Sequence, residues 1–211
     1  MPIGEWVLRE ACRQARVWTE QFDPGLCMAV NISARQFAKA GLAQAVAAAL
    51  ADSGLPAANL ELELTESLVM QEPEKSVAIL AELKAMGITL AMDDFGTGYS
   101  SLSYLNRFPL DVLKIDRSFV SEIGGQDCDA ALCNAIIALA GSLGLDVVAE
   151  GVELPDQVRY FVRQHCDRIQ GFLFSRPLAA GAATDLLSEG RCLDLLHEVA
   201  SGSARAKGCV V

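Results

Sequence analysis

Polar and acidic side chains recur at the C-terminal ends of the apolar segments of this sequence. They are Asn31, Glu63, Glu66, Asp93, Asp94, Lys114, Asp116, Glu150, Glu153 and Gln170. Like charges crowded into a partly dry site repel one another and lose hydration, so such a set requires compensating positive charge. One lysine cannot neutralise all of these carboxylates, and oxygen ligands without clustered His or Cys favour Mg²⁺ or Mn²⁺ over zinc. The residue types therefore predict a divalent metal site.

Any one of these acids, taken singly, is more simply explained as a helix cap or as a surface ion-pair partner. Glu72, Asp127 and Asp156 are interpreted in that way. The larger set is different, because chance rarely places acids at the same end of several consecutive strands. Ligands of parallel α/β folds bind at that end of the sheet.

A glycine-containing segment follows two of these acids, Asp93 and Asp94. It contains Thr97, Gly98 and Ser100, whose side chains are small or bear a hydroxyl group. Hydroxyl groups can cap the next helix, and glycine permits a close approach of the backbone. The segment is either an ordinary strand-to-helix turn or a mobile loop beside the metal site.

The elements that must position these side chains alternate between strand and helix. We predict strands at residues 26–32, 60–65, 88–93, 111–116, 145–150 and 168–174. We predict helices at residues 5–20, 39–52, 73–86, 127–143 and 155–165. This alternation indicates right-handed βαβ units and a parallel sheet. It does not distinguish an open sheet from a barrel, although the absence of a G-x-G-x-x-G or P-loop motif disfavours an open nucleotide-binding sheet.

Charge and composition exclude some classes of protein. The formal net charge of −10 argues against a duplex-nucleic-acid binder, which needs a basic surface. No apolar run reaches the roughly 18 residues of a membrane span, and the first residues do not resemble a signal peptide, so we expect a cytoplasmic location. The seven cysteines contain no Cys-x-x-Cys pair and are predicted to be reduced, buried thiols.

Six segments of the chain carry distinctive motifs. They are VNISARQF from residue 30, LELELTES from 60, DDFGTGYSSL from 93, LKIDRSFV from 113, VAEGVE from 148 and QGFLFSRP from 170. In their sequences and in their order, these segments closely resemble EAL domains, the bacterial modules that hydrolyse cyclic di-GMP, and the resemblance extends from about residue 3 to residue 187. The resemblance implies a modified TIM barrel that uses two Mg²⁺ or Mn²⁺ ions to open one phosphodiester, yielding linear pGpG. A homodimer is a further expectation from the family.

The resemblance also assigns roles to the residues that match its motifs. Metal ligands are expected at Asn31, Glu63, Asp93, Asp94 and Glu150, with Asp93 bridging the two ions. Lys114 is expected to orient the attacking water or to stabilise developing charge, and Gln170 to lie near that water or the substrate. Glu66 and Glu153 are expected to support the ligands and the loop. Thr97, Gly98 and Ser100 belong to the substrate loop.

The sequence departs from the family at its beginning. The family starts with two strands and a helix that are not matched here, and the glutamate of its Glu-Ala-Leu motif is a further metal ligand. Glu-Ala-Leu does not occur in these 211 residues. We therefore expect an incomplete barrel, with about six of eight strands, over residues 1–190, followed by a C-terminal helix and loose tail over 191–211.

Two alternatives to an active phosphodiesterase remain open. The first is a catalytically degenerate EAL module that binds cyclic di-GMP or a protein partner without hydrolysis. The second, from the acidic pattern alone, is another Mg²⁺-dependent barrel enzyme such as an enolase-type lyase. The 93–102 segment disfavours the lyase.

Overall fold

The computed structural model describes residues 3–98, 102–123, 130–190, 199 and 208–209. The helices are α1 (Ile3–Gln21), α2 (Ala34–Ala38), α3 (Leu42–Ser53), α4 (Glu66–Val69), α5 (Pro73–Lys84), α6 (Leu102–Leu105), α7 (Arg117–Ser121), α8 (Ala131–Leu143), α9 (Pro155–Arg163) and α10 (Ala180–Glu189). The strands are β1 (Met28–Asn31), β2 (Leu60–Thr65), β3 (Thr89–Phe95), β4 (Val112–Ile115), β5 (Asp146–Ala149), β6 (Arg168–Ile169) and β7 (Gly208–Cys209). Among these described residues, no helix combines the length and the apolar character that a membrane crossing requires.

The chain divides into two compact units, which share strand β3. The first contains Met1–Met92 and Gly98–Asp111, and the second contains Asp93–Thr97 and Val112–Val211. Each unit carries part of the predicted parallel sheet. The predicted alternation of parallel strands and helices is confirmed in both.

In the first unit, β1 and β2 pair in parallel, and their register aligns Asn31 with Glu63. Strand β2 is buried on both faces, with Leu60, Leu62 and Leu64 on one face and Glu61 and Glu63 on the other. An alternating sequence normally indicates a strand with one face in water. Here both faces are inaccessible, so the two glutamates point into the interior.

In the second unit, β4 pairs with β5 and β5 pairs with β6, both in parallel. Helix α8 packs against β4 and β5. The fully buried side chains of Leu113, Ile115 and Phe161 belong to the core of this unit. Strand β6 pairs in turn with β7, which the sequence did not predict because two residues carry no periodic signal. The other residues of the predicted tail lie outside the described residues, apart from the helical Val199.

Several predicted boundaries were wrong for local reasons. The helix predicted at 39–52 begins only at Leu42, because Gly41 adopts a left-handed conformation with φ of 95° that separates α2 from α3. The strand predicted at 168–174 ends at Ile169, because the chain turns at Gly171, whose carbonyl accepts a hydrogen bond from the N–H of Phe174 at 3.1 Å. The helix predicted at 127–143 begins at Ala131, and its first predicted residues, 127–129, lie outside the described residues.

Candidate metal site

The first unit places an amide and a carboxylate side by side. Asn31 ends β1 and is the register partner of Glu63 in β2. Because aligned residues of parallel strands project from the same face, the two side chains emerge together. The carboxyl group of Glu63 belongs to a residue that is only 5% exposed, whereas Asn31 is exposed. Together they offer two oxygen donors at the C-terminal ends of neighbouring strands.

The first unit also brings Glu66 to Gly98. Glu66 is the first residue of α4 and is 2% exposed. A Cβ atom added at Gly98 would lie 3.0 Å from Oε1 of Glu66, so the carboxylate packs directly against the backbone of the loop. Residue 98 is the last residue described before the gap, and the predicted substrate-loop residue Ser100 lies outside the described residues.

The second unit gathers three carboxylates from the ends of two strands. Oxygen atoms of Asp93, Asp94 and Glu150 lie within 4.8 Å of one another. Asp93 faces inward from β3, and Asp94 has a φ of 54°, a left-handed conformation that turns its side chain out of the normal strand alternation. The N–H of Asp94 donates to Oδ1 of Asp93 at 3.1 Å, which fixes the first carboxylate.

Strand pairing brings Glu150 to Lys114. Because Lys114 is aligned with Val148 in the parallel register, Glu150 lies two residues further along the same face. The backbone N–H of Glu150 donates to the carbonyl of Ile115 at 3.2 Å, which extends the ladder by one residue. Lys114 is 3% exposed, and its Nζ contacts both Oε1 of Glu150 and Oδ1 of Asp93.

The crowding of acids perturbs two carboxyl groups of this cluster. Burial, followed by the nearby charges of Asp93 and Asp116, raises the pKa of Asp94, while Lys114 acts in the opposite direction. Burial alone would raise the pKa of Asp116, but hydrogen bonds from the Ser118 side chain and backbone and from Asp94 lower it. Of these two carboxyl groups, Asp94 therefore holds a proton more readily than Asp116.

Three other predicted site residues belong to the second unit, and each has different surroundings. They are Thr97, Glu153 and Gln170. The hydroxyl of Thr97 donates to the carbonyl of Asp94 at 2.8 Å, within the turn that follows β3. Glu153 has an exposed side chain, and its backbone N–H donates to Oε1 of Gln157 at 2.9 Å. The Oε1 atom of Gln170 is buried and has no hydrogen-bond partner among the described residues.

The donor set fits a hard divalent cation. Three carboxylates converge in the second unit, and a carboxylate with an amide is presented in the first. Oxygen ligands of this kind are those that Mg²⁺ and Mn²⁺ prefer. Burial and the neighbouring negative charges disfavour the ionised form of Asp94 and so raise its pKa. A cation at this position would offset those charges, which favours cation binding there.

Two residues of this region have roles that the sequence analysis did not assign: Asp116, which it counted only among the clustered acids, and Gln157, which it did not name. Asp116 accepts hydrogen bonds from Ser118 and thereby caps the N-terminus of α7. Gln157 is 3% exposed and contacts the loop that contains Glu153. The D-x-S spacing at residue 116 is an N-cap signal that identifies the first, whereas a glutamine near a helix start gives no sign of burial.

Residues 1–177 match the EAL domain family. The chain belongs to this family. Among its curated relatives, the chain is 49% identical over 178 residues to a protein of Pseudomonas aeruginosa named as the bifunctional diguanylate cyclase/cyclic di-GMP phosphodiesterase MucR. It is 45% identical over 185 residues to another from the same organism, named as the cyclic di-GMP phosphodiesterase NbdA. These matches cover 84% and 88% of the chain but only 26% and 24% of the relatives, so the chain spans about a quarter of their length.

Solved structures of EAL domains resemble this one closely. A MucR phosphodiesterase structure, described as a cyclic di-GMP complex, has a TM-score of 0.82 at 49% identity, covering 86% of this chain and 73% of that one. The EAL domain of Mycobacterium smegmatis DcpA has a TM-score of 0.83 at 42% identity, covering 89% and 85%. These likenesses confirm the predicted TIM-like α/β fold with an incomplete set of strands among the described residues.

A third similar structure is described as containing manganese. BlrP1 of Klebsiella pneumoniae, described as a manganese and cyclic di-GMP complex, has a TM-score of 0.75 at 29% identity and covers 84% of this chain and 44% of that one.

Proposed function

We propose that this EAL domain hydrolyses cyclic di-GMP to linear pGpG with Mg²⁺ or Mn²⁺. One observation carries the proposal: Asp93, Asp94 and Glu150 converge around Lys114 at the C-terminal ends of β3 and β5. Relatives named as cyclic di-GMP phosphodiesterases support the choice of substrate. The substrate is an anion and the chain carries a net charge of −10, so local cations must bind the phosphate.

We assign different residues as ligands of the two metal ions. We assign one ion to Asp93, Asp94 and Glu150, whose oxygens are already within 4.8 Å of one another. We assign Asn31 and Glu63 as donors to the other ion, because their side chains emerge together from β1 and β2. When bound, the metal ions polarise the phosphoryl oxygen and lower the pKa of the attacking water.

Lys114 and Gln170 act on the water and the phosphate in this proposal. The ammonium of Lys114 donates hydrogen bonds and stabilises negative charge as it develops on the phosphoryl group. The buried Oε1 of Gln170 accepts a hydrogen bond from the attacking water and orients it. The water oxygen forms a bond to phosphorus as the bond from phosphorus to the 3′ oxygen breaks. One proton leaves the water and one is taken up by the 3′ oxygen, which leaves pGpG with its 5′ phosphate.

The loop residues complete the assignment. Glu66 supports the backbone at Gly98, against which its carboxylate packs. Thr97 and Gly98, together with Ser100, are assigned to the substrate loop. Glu153 is assigned to the support of the loop that bears Glu150, because its backbone is fixed by Gln157.

Chromatography of the reaction products tests the function directly. Purified chain incubated with cyclic di-GMP and Mn²⁺ should produce pGpG, and EDTA or the substitution Asp93→Asn should abolish the product. Asp156→Asn is the matched control, because Asp156 pairs with Arg159 on the exposed side of α9. Product formation that persists in EDTA, or that survives Asp93→Asn, would contradict the proposal.

A binding module without hydrolysis is the second candidate. The observation in its favour is that a cation held by Asp93, Asp94 and Glu150 can bind a phosphate without cleaving it. In the family that the chain resembles, the glutamate of Glu-Ala-Leu is a further metal ligand. This candidate predicts calorimetric binding of cyclic di-GMP with no pGpG. Strong turnover by a longer version that supplies a Glu-Ala-Leu strand, with none from these 211 residues, would attribute the difference to that ligand.

A further inference from the structure

A buried glutamine in the second unit makes four hydrogen bonds, all of them to backbone. Gln157 lies in the first turn of α9 and is 3% exposed. Its Oε1 accepts from the N–H groups of Glu153 at 2.9 Å and Leu154 at 3.0 Å. Its Nε2 donates to the carbonyls of Val120 at 3.0 Å and Ile123 at 3.4 Å.

Among neutral or charged side chains of this size, only an amide satisfies both sets of partners. Two N–H donors face one end of the group and two carbonyl acceptors face the other, so the group must accept at one end and donate twice at the other. A glutamate would place a second oxygen against two carbonyls, and a leucine would leave all four backbone groups without this partner. Buried backbone groups without partners are costly, so the arrangement depends on Gln157.

The N–H groups that Gln157 binds end the loop that begins with Glu150. The start of this loop is held by the hydrogen bond from the N–H of Glu150 to Ile115. Its centre is held by the hydrogen bond from the N–H of Val152 to the carbonyl of Gln170, at 3.0 Å. A Cβ atom at Gly171 would collide with the carbonyl oxygen of Val152, so the centre is also packed tightly. Gln157 supplies the anchor at the far end.

The carbonyls that Gln157 binds belong to the C-terminal end of the segment that Asp116 caps. Asp116 accepts from the N–H of Ser118 at 2.9 Å and so fixes the start of α7. Asp116 also acts electrostatically on Asp94. Gln157 therefore ties the loop of Glu150 and Glu153 to the helix whose capping residue borders the acidic cluster.

We infer that Gln157 is a positioning residue, which holds the Glu150–Glu153 loop in the geometry that the metal site requires. The expected effect on metal binding rests on the proposed function. The anchoring of the loop rests on the four hydrogen bonds alone. Groups that orient metal ligands from outside the coordination sphere commonly change metal affinity by about 10–100-fold when they are removed. Gln157 acts one step further out, through backbone, so we expect an effect at the lower end of this range, about tenfold.

Mn²⁺ titration followed by electron paramagnetic resonance tests the consequence without any need for activity. Gln157→Leu should weaken Mn²⁺ binding about tenfold. The matched control is Val158→Ala, the next residue of α9, which is fully buried and makes no side-chain hydrogen bond. It should lower the melting temperature as much as Gln157→Leu does while leaving the Mn²⁺ affinity within about twofold, because it removes packing and keeps the anchor. Equal losses of affinity in the two variants would overturn the inference.

Amide hydrogen exchange tests the cause independently of metal. In Gln157→Leu the amides of Glu153 and Leu154 should exchange faster than in the unsubstituted chain, and in Val158→Ala they should not. Gln157→Glu keeps the acceptor and serves if the leucine variant does not fold; its Mn²⁺ affinity should still fall, because the anchor to Val120 and Ile123 is lost. Unchanged exchange or unchanged affinity in a folded Gln157 variant would overturn the inference. Failure of the unsubstituted chain to bind Mn²⁺ would instead contradict the proposed function, and the exchange rates would still decide whether Gln157 anchors the loop.

Discussion

The Nζ atom of Lys114 lies 3.3 Å from Oδ1 of Asp93, and the two side chains are 3% and 13% exposed. The same ammonium also pairs with Glu150. A buried ion pair contributes little net stability, because desolvation offsets most of the attraction, but loss of one partner leaves an uncompensated charge. Lys114 therefore keeps two potential metal ligands together before any metal binds.

Replacing Lys114 by methionine should separate its structural and catalytic contributions. In EDTA the Lys114→Met variant should lose about 3–5 kcal/mol of folding stability, since two carboxylates remain without their cation. Mn²⁺ should restore much of this stability, because it supplies the missing charge. The turnover rate should nevertheless stay at least about 100-fold lower, because the stabilisation of developing charge on the phosphate is lost.

Urea unfolding with and without Mn²⁺, together with the rate of pGpG formation, measures these effects. Lys39→Met is the control, since its exposed ammonium pairs with Glu5 at the surface and should contribute less than about 1 kcal/mol. A Lys114→Met enzyme with a normal turnover number would refute the catalytic role.

Replacing Asp94 by asparagine should stabilise the metal-free protein while weakening metal binding. The pKa of Asp94 is raised in the folded state, so the folded protein holds this proton more tightly than the unfolded chain does. The folding stability that this group contributes is therefore lost as the pH rises above the usual aspartate pKa of 3.8 and passes through the raised pKa of the folded state. Asparagine removes that loss and also tolerates the left-handed backbone at this position.

Thermal melts in EDTA check the sign of this effect. Asp94→Asn should melt higher than the unsubstituted chain at about pH 7.5, and the difference should shrink at about pH 4, where Asp94 is more fully protonated in both states. Mn²⁺ binding should weaken in the same variant. If Asp94→Asn melted at a lower temperature than the unsubstituted chain at the higher pH, the folded protein would stabilise Asp94 as an anion. That result would contradict the raised pKa of Asp94.

The sequence predicts the strands and the position of the acidic cluster for one physical reason. The packing of a hydrophobic core does not require acids at the ends of apolar segments, so their presence there indicates a site. Parallel strands bring their C-terminal ends to the same edge of the sheet. The structure places oxygens of Asp93, Asp94 and Glu150 within 4.8 Å of one another. The metal and catalytic roles of these residues remain predictions.

Other features could not be predicted from the sequence, because they depend on tertiary structure. Gln157 follows Pro155 and Asp156 in a helix start, where a glutamine is ordinarily exposed, and only the packing of α9 buries it. Gly41 was included in a predicted helix, because a single glycine inside an apolar period signals a break only weakly. Glu61 was not distinguished from a surface residue, because alternation alone does not show that both faces of β2 are covered.

Thiol reactivity should follow burial in the folded protein. Burial raises the pKa of Cys12 to about 11, and chiefly burial raises that of Cys166 to about 12. Both groups are therefore protonated at about pH 8, where only the thiolate is an effective nucleophile. Cys27 is exposed, so the prediction of a buried thiol is wrong at this position. It should be alkylated much faster by iodoacetamide.

Peptide mass spectrometry after brief alkylation measures the three sites separately. The same reaction in guanidinium chloride is the control, and there all three cysteines should react at similar rates. Rapid modification of Cys166 in the folded chain would mean that β6 opens locally, since this thiol lies within 3.4 Å of the carbonyl of Val147 and 3.2 Å of that of Arg168.

Two glycine-to-alanine substitutions should have opposite effects on stability. Gly151 has a φ of 68°, and an added Cβ would lie 2.5 Å from Cβ of Arg117. Left-handed backbone costs an alanine about 1–2 kcal/mol, and the contact with Arg117 adds to this because its Cβ is fixed by the helix backbone. Gly151→Ala should therefore destabilise the protein by about 2 kcal/mol or more and weaken Mn²⁺ binding through the displaced Glu150.

Gly141→Ala is the matched comparison, because Gly141 lies inside α8 and an added Cβ meets nothing within 4 Å. Alanine has the higher helix propensity, so this variant should gain up to about 1 kcal/mol. For a chain of this size each kcal/mol corresponds to roughly 2–4 °C in melting temperature, so calorimetry resolves both shifts. If Gly151→Ala melted as high as Gly141→Ala, the loop after β5 would accommodate a side chain by moving, and the fixed geometry attributed to Glu150 could not hold.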